Sequence, residues 1–205
     1  MPVGMTYSSL ISDIQTYCER DDEPFINMVP TFIMLAENRL ASENKPLGFL
    51  RTVSGTFNGP MLDKPVRWRK TKGFSIIVNG VREYLYERGY DYCRTYAPDS
   101  TQTTVPKFYA DYDYEHWLIA PAPAAAYPFE IQYYERPEPL SDEQQTSWTT
   151  RYAPQCLLYA ALMEAMPFLK TSERIPEFQA LYDRAIGAVV KEDTERLTDS
   201  ANMRA

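Results

Sequence analysis

His116 is the only histidine in the 205-residue chain. A two-histidine metal site is therefore excluded, and any serine or cysteine nucleophile has one imidazole to draw on. The residue sits in Tyr114-Glu115-His116-Trp117-Leu118, a strand-like run whose alternation places it opposite Trp117, which favours a structural or solvent-exposed histidine. Asp111, Asp113 and Glu115 alternate beside it. On one strand they could project together as acid, base or cation ligands, although alternating acids more often form a strand's solvated face. Asp21-Asp22-Glu23 before Pro24 reads as negative charge complementing a helix N-terminus. Cys18, Cys93 and Cys156 are far apart with no CxxC spacing, so neither a disulfide framework nor a zinc site is indicated, and the thiols read as reduced and intracellular. The eight glycines form neither GxGxxG nor GxxxxGK[ST], which removes the phosphate-cradling loops. No catalytic residue, cofactor site or metal site is assigned, and the expectation is a protein that is not an enzyme.

Binding chemistry is the alternative to catalysis. Sixteen tyrosines supply large apolar faces with polar tips, suited to wet interfaces and equally to an ordinary tyrosine-rich β-fold. The tyrosines together with Trp68, Trp117 and Trp148 could also build a sugar-stacking platform, so a carbohydrate-binding or tail-fibre-like β-module is the competing function, to be judged by whether the tryptophans are exposed. A net charge of −7 and a pI near 4.9 argue against general phosphate neutralisation, which needs a cationic stripe. The densest basic cluster, Arg67, Arg69, Lys70 and Lys72, lies in a strand-like segment and reads as a solvated strand face.

The elements that must position these residues change character along the chain. Ser8 or Ser9 is placed to cap a helix carrying Leu10, Ile11, Ile14, Tyr17 and Cys18 at helical spacing. Pro30 predicts a kink or a fresh start, so the main second helix is expected from about Pro30 to Ser42, with Phe32, Ile33, Ala36, Glu37 and Leu40 on its stripe. From Phe49 the sequence turns to strands, expected at 50–57, 106–112, 115–120 and 128–135, with a hairpin at Asn79-Gly80. The run Tyr90 to Tyr96 reads as a helical turn or two. After a polar linker, Arg136 to Ser147, helical periodicity returns in Leu157, Leu158, Ala161, Leu162 and Ala165, then in Phe178, Leu181, Tyr182, Ala185, Ile186 and Val189. Beyond Val190 the last helix is polar, predicting an end that is exposed, frayed or ordered by a partner.

The fold class expected is α+β: N- and C-terminal helices (1–48 and 148–205) packed as a bundle, with an antiparallel β-rich insertion (49–140). No stretch approaches the length of a membrane span, no export signal is visible, and synthesis in the cytoplasm with no membrane anchor is expected.

Several strings, in this order, resemble the head-to-tail adaptor (connector) proteins of tailed bacteriophages, particularly short-tailed ones. They are Met5-Thr6-Tyr7-Ser8-Ser9-Leu10-Ile11, then Ile26-Asn27-Met28-Val29-Pro30-Thr31-Phe32-Ile33 with Ala36-Glu37-Asn38-Arg39-Leu40, then Leu50-Arg51-Thr52-Val53-Ser54-Gly55-Thr56. Val105-Pro106-Lys107-Phe108-Tyr109-Ala110, Leu118-Ile119-Ala120-Pro121-Ala122-Pro123 and Ser147-Trp148 follow. The resemblance implies a structural virion protein made in the host cytoplasm and placed at the head–tail junction. It implies a twelvefold ring of copies beneath the portal protein, tail nozzle or tail tube proteins on the other face, and DNA passing through the lumen without sequence-specific binding. It also implies a C-terminal segment that reaches the portal, carried onto Lys191 through Ala205, with Lys191, Arg196, Met203 and Arg204 as candidate portal-binding residues and no cofactor.

Overall fold

The computed structural model describes residues 4–43 and 46–202, with side chains through Arg196. The elements are α1 (Tyr7–Cys18), α2 (Glu23–Glu43), β1 (Leu50–Phe57), β2 (Met61–Asp63), β3 (Trp68–Val78), β4 (Val81–Glu87), α3 (Tyr90–Tyr96), β5 (Thr103–Thr104), β6 (Phe108–Asp111), β7 (His116–Ala120), β8 (Ala122–Pro123), β9 (Tyr127–Glu135), α4 (Trp148–Tyr152), α5 (Pro154–Leu169) and α6 (Ile175–Asn202). The chain divides into a helical unit, Met1–Phe49 with Arg136–Ala205, and a β unit, Leu50–Glu135. The fold is α+β with an inserted β subdomain, as expected.

In the helical unit α5 is the centre. Its Cys156, Leu157, Ala160, Ala161, Leu162, Ala165 and Met166 are all buried, which is the mark of a helix covered on most sides. The α2 residues Phe25, Val29, Phe32, Ile33, Ala36 and Leu40 share its core, as do Leu10 and Ile14 of α1 and Phe178 and Tyr182 of α6. Arg39 Nε donates to Glu164 at 2.9 Å and the Tyr182 hydroxyl to Glu43 at 3.0 Å, so charged rims lock the helix pairs that the apolar stripes bring together.

Two local expectations are corrected here. Thr6, not Ser8 or Ser9, caps α1: its hydroxyl accepts from Ser9 N at 3.1 Å while the Ser9 hydroxyl accepts from Thr6 N at 2.9 Å, a capping box. The second helix does not start at Pro30 but at Glu23, and it runs through the proline. An interior proline costs about 3 kcal/mol, and burial of Phe25 and Val29 upstream of it, worth about 1.5–3 kcal/mol for each such side chain, offsets that loss. The Asp22 carbonyl accepts from Phe25 N and Ile26 N at this helix's start, and Glu23 lies in the first turn, in keeping with acidic charge at an N-terminus.

The β unit is a seven-stranded sheet in the order β1-β9-β3-β4-β6-β7-β2. Its two halves enclose Phe57, Phe74, Ile76, Leu85, Tyr109, Trp117, Ile119 and Ile131. Phe74 lies 5.2 Å from Tyr109 and 5.9 Å from Trp117 between ring centroids. The Asn79-Gly80 hairpin forms as expected, with positive φ at both residues (52° and 84°). Leu118 and Ala120, on the other side of β7, are covered by Cys93 of α3, so β7 is buried on both faces and reads as an unbroken apolar run.

The sheet is mixed rather than antiparallel throughout. β4 pairs with β6 in parallel at Tyr86 and Glu87, because the chain between them passes through α3 before returning, and β5 pairs with β8 in parallel in a separate two-stranded sheet. Leu50 pairs with Tyr134, so the chain enters and leaves the unit on neighbouring strands, the geometry an insertion needs. The segment 136–140, grouped on sequence with the β region, belongs to the helical unit: Leu140 is buried in its core and donates its N–H to Glu37 at 3.1 Å.

Candidate functional site

The residues with the most chemical character sit at one end of the β unit, where the loop after β2 meets the turn between β6 and β7. Lys64 holds the two together. Its side chain is 3% exposed and its ammonium lies 2.8 Å from Asp111, 2.8 Å from the Asp113 carbonyl and 4.1 Å from the centre of the Trp68 ring. Its backbone N–H donates to the Glu115 carbonyl. An ammonium so fully enclosed needs paired charge, acceptors and an aromatic face to replace its water, and it has all three.

The acidic residues are spent on building this corner. Asp111 ends β6 and Asp113 and Glu115 lie in the turn, so the three do not alternate along one strand as the sequence suggested. The Asp113 carboxylate accepts from the backbone N–H of Glu115 and of His116, each at 2.7 Å, and contacts His116 Nδ1 at 2.9 Å. That hydrogen bond, with the nearby Asp63 and Glu115 charges, raises the His116 pKa. His116 Nε2 lies 3.5 Å from Asp63. No nucleophile joins it, and among the described residues no His, Cys, Asp or Glu group is arranged to hold a metal ion. The corner is tied together by these bonds, and it presents Val66, fully exposed, and Tyr114 at its tip.

The tryptophans do not form an exposed platform. Trp117 is fully buried, Trp68 packs edge-on against it at 5.7 Å, and Trp148 packs on Phe49 at 5.5 Å and over Gly48. A Cβ on Gly48 would stand 2.0 Å from the Trp148 ring, so glycine is required there. Exposed aromatic surface comes instead from Tyr84, Tyr86, Tyr90, Tyr92, Tyr96, Tyr112 and Tyr114. Burial raises the Cys156 thiol to about 11 and raises Cys93 as well, which makes both poor nucleophiles.

The candidate portal-binding residues lie on α6 or beyond. Lys191 and Arg196 are exposed and each pairs within the helix, with Glu195 and Glu192 respectively. Met203 and Arg204 fall outside the described residues. The polar run past Val190 continues α6 as helix to Asn202, and Asp193 accepts from Leu47 N at 2.7 Å.

A family model described as SU10 adaptor protein matches residues 5–204. The chain belongs to this family. It is therefore a bacteriophage adaptor protein, as its resemblance to head-to-tail adaptors indicated, and membership makes it a structural component of the virion rather than a member of an enzyme family. A search of curated proteins finds no match to the chain. Among the described residues no helix is long and apolar enough to cross a membrane.

Sequence reasoning missed Lys64, whose partners Asp111 and Asp113 are distant in the chain, and no local pattern marks it. It saw Glu37 on the apolar stripe of α2 without drawing the consequence. Glu37 is 5% exposed, with Oε1 unpartnered and Oε2 accepting from Leu140, and burial pushes its pKa up to about 7.

Proposed function

We propose that the protein assembles as a ring, twelvefold, beneath the portal and joins the DNA-filled head to the tail, with DNA passing through its lumen and tail nozzle or tube proteins on the far face. The family match carries this reading. The distribution of charge supports it. Residues 50–135 hold ten basic and ten acidic side chains, whereas the helical unit holds eleven and eighteen, so the whole net charge of −7 belongs to the helices. Helices forming the body of a ring would then give a negative lumen that repels DNA and lets it slide, where a basic lumen would bind it. A ring lining rich in Arg and Lys would contradict this.

In this reading the polar end of α6, with Lys191, Arg196, Met203 and Arg204, reaches the portal. Among the described side chains of α6, Val189 is the last apolar one packed against the core, so a chain ending at Val190 keeps those contacts. The truncated protein should retain its helical circular-dichroism spectrum and fail to co-sediment with purified portal rings. Binding equal to that of the full chain would overturn the assignment.

A further inference from the structure

We propose that β1 of one copy pairs with the open edge of β4 in the next, carrying the sheet across the boundary between neighbouring subunits. This rests on the ring reading above and names the surface on which its subunits meet. β1 ends the sheet, and among the described residues no strand pairs with its other side. Exposed edges are usually protected by shortness, proline, a bulge or charge. β1 lacks the first three and has a single charge. It is eight residues long, pairs one-to-one with β9 over its whole length, contains no proline, and carries one charge, Arg51, which is 2.9 Å from Glu135. Gly55 does not loosen it, because the Phe129 ring covers the position so closely that a Cβ would stand 2.8 Å away. The sheet's opposite end, β2, is three residues long, preceded by Pro60 and closed by Asp63.

A second open stretch lies across the same half of the sheet. β4 pairs with β3 from Val81 to Leu85, but its pairing with β6 begins only at Tyr86, so among the described residues no strand pairs with 81–84 on that side. A groove of about 540 Å³ lies beside this stretch, lined by Tyr84, Tyr86, Pro106 and Phe108 and rimmed by Glu83, Arg88 and Lys107, the combination of free main chain and side-chain pockets that accepts an added strand. The occupant is a second copy because the two open edges stand at opposite ends of one four-strand run, β1-β9-β3-β4. A head-to-tail contact uses one from each copy, covering the open stretch of β4 with part of β1 all the way around a closed ring, whereas a foreign strand would cover only one. The rows that meet on the outer face also match. Thr52, Ser54 and Thr56 would lie beside Arg82 and Tyr84, and Arg82 is already neutralised by Glu130 at 2.8 Å, so the contact desolvates no lone charge there and sets an aromatic ring against threonines.

The test is disulfide trapping across the contact in the full chain mixed with portal rings. Three double variants, Thr52→Cys, Ser54→Cys or Thr56→Cys, each combined with Tyr84→Cys, span the possible registers, since opposed residues on adjacent strands bring their Cβ atoms within bridging distance. At least one pair should give a ladder of covalent multimers on oxidation that collapses with reductant, while each single variant stays monomeric on a denaturing gel. If the wild-type protein forms rings on the portal and no double variant yields a ladder beyond its singles, the edge contact is wrong and the ring stands. If the wild-type protein forms no multimer alone or on the portal, the ring reading fails and the edge contact with it.

Discussion

The helical unit and the β unit solve different problems with different residues. The helical unit fills its core with alanine, leucine and methionine around α5, carries all of the net charge, and tolerates an acid, Glu37, in its interior. The β unit fills its core with interlocking rings, is electrically neutral, and places tyrosine and threonine on its exterior. A surface whose charges balance carries little net repulsion between copies, while a strongly acidic one repels both other copies and DNA. In the proposed ring this difference divides the labour: helices for the channel body and portal, strands for contacts between copies and with the tail.

The sharpest way to break this contrast is to empty one core and leave the other. Phe74→Ala removes a ring that touches Phe57, Tyr109, Trp117 and Phe129, and should cost about 3–5 kcal/mol, read as an earlier denaturation midpoint in the near-ultraviolet signal of the aromatic cluster. An unchanged midpoint would mean that the rings do not carry the β unit.

The acid in the helical core predicts a dependence on pH instead. Glu37 titrates at 4.5 when free and about 7 when folded, so the folded state holds its proton more tightly. The stability this gives is complete below pH 4.5 and is lost as pH rises through 7. Full loss is on the order of 3 kcal/mol, since each tenfold difference in proton affinity between the folded and unfolded chain is worth about 1.4 kcal/mol. Glu37→Gln keeps an acceptor for Leu140 N and should flatten that slope, with its advantage over the wild type appearing at pH 8 and absent at pH 4. Urea titrations at the two pH values would show it, and parallel profiles would count against the buried carboxyl.

Smaller effects are expected at the β unit's corner and turn. Lys64→Met keeps the stem against Trp68 but removes the bonds to Asp111 and the Asp113 carbonyl, at a cost of about 1–3 kcal/mol. Exchange of the amide protons of Glu115 and His116, bonded to Asp113, should accelerate, and unchanged exchange would show that Lys64 does not hold the turn. Gly80→Ala forces a side chain into positive φ and should cost about 1–2 kcal/mol, read as a modest drop in melting temperature.

The sequence made the helices and the Asn79-Gly80 hairpin legible because their local patterns and their tertiary packing agree. It misled where the two compete. Pro30 is a local stop signal overruled by the burial of Phe25 and Val29, and the alternation of Asp111, Asp113 and Glu115 continues across what is a turn, since spacing alone cannot show where β6 ends. The Lys64 corner and the open side of β4 were hidden for another reason: both depend on residues brought together from distant parts of the chain. No catalytic pattern was found in the sequence, and the geometry of His116 and its acids is that of a folded turn.

The central claim is tested most directly by the mass of the complex formed when the purified protein is mixed with portal rings, measured by light scattering. The account predicts a discrete complex of fixed stoichiometry, with twelve copies added per portal ring, whether or not the free protein is monomeric. Absence of binding, or a continuous spread of masses with no saturating stoichiometry, would contradict it.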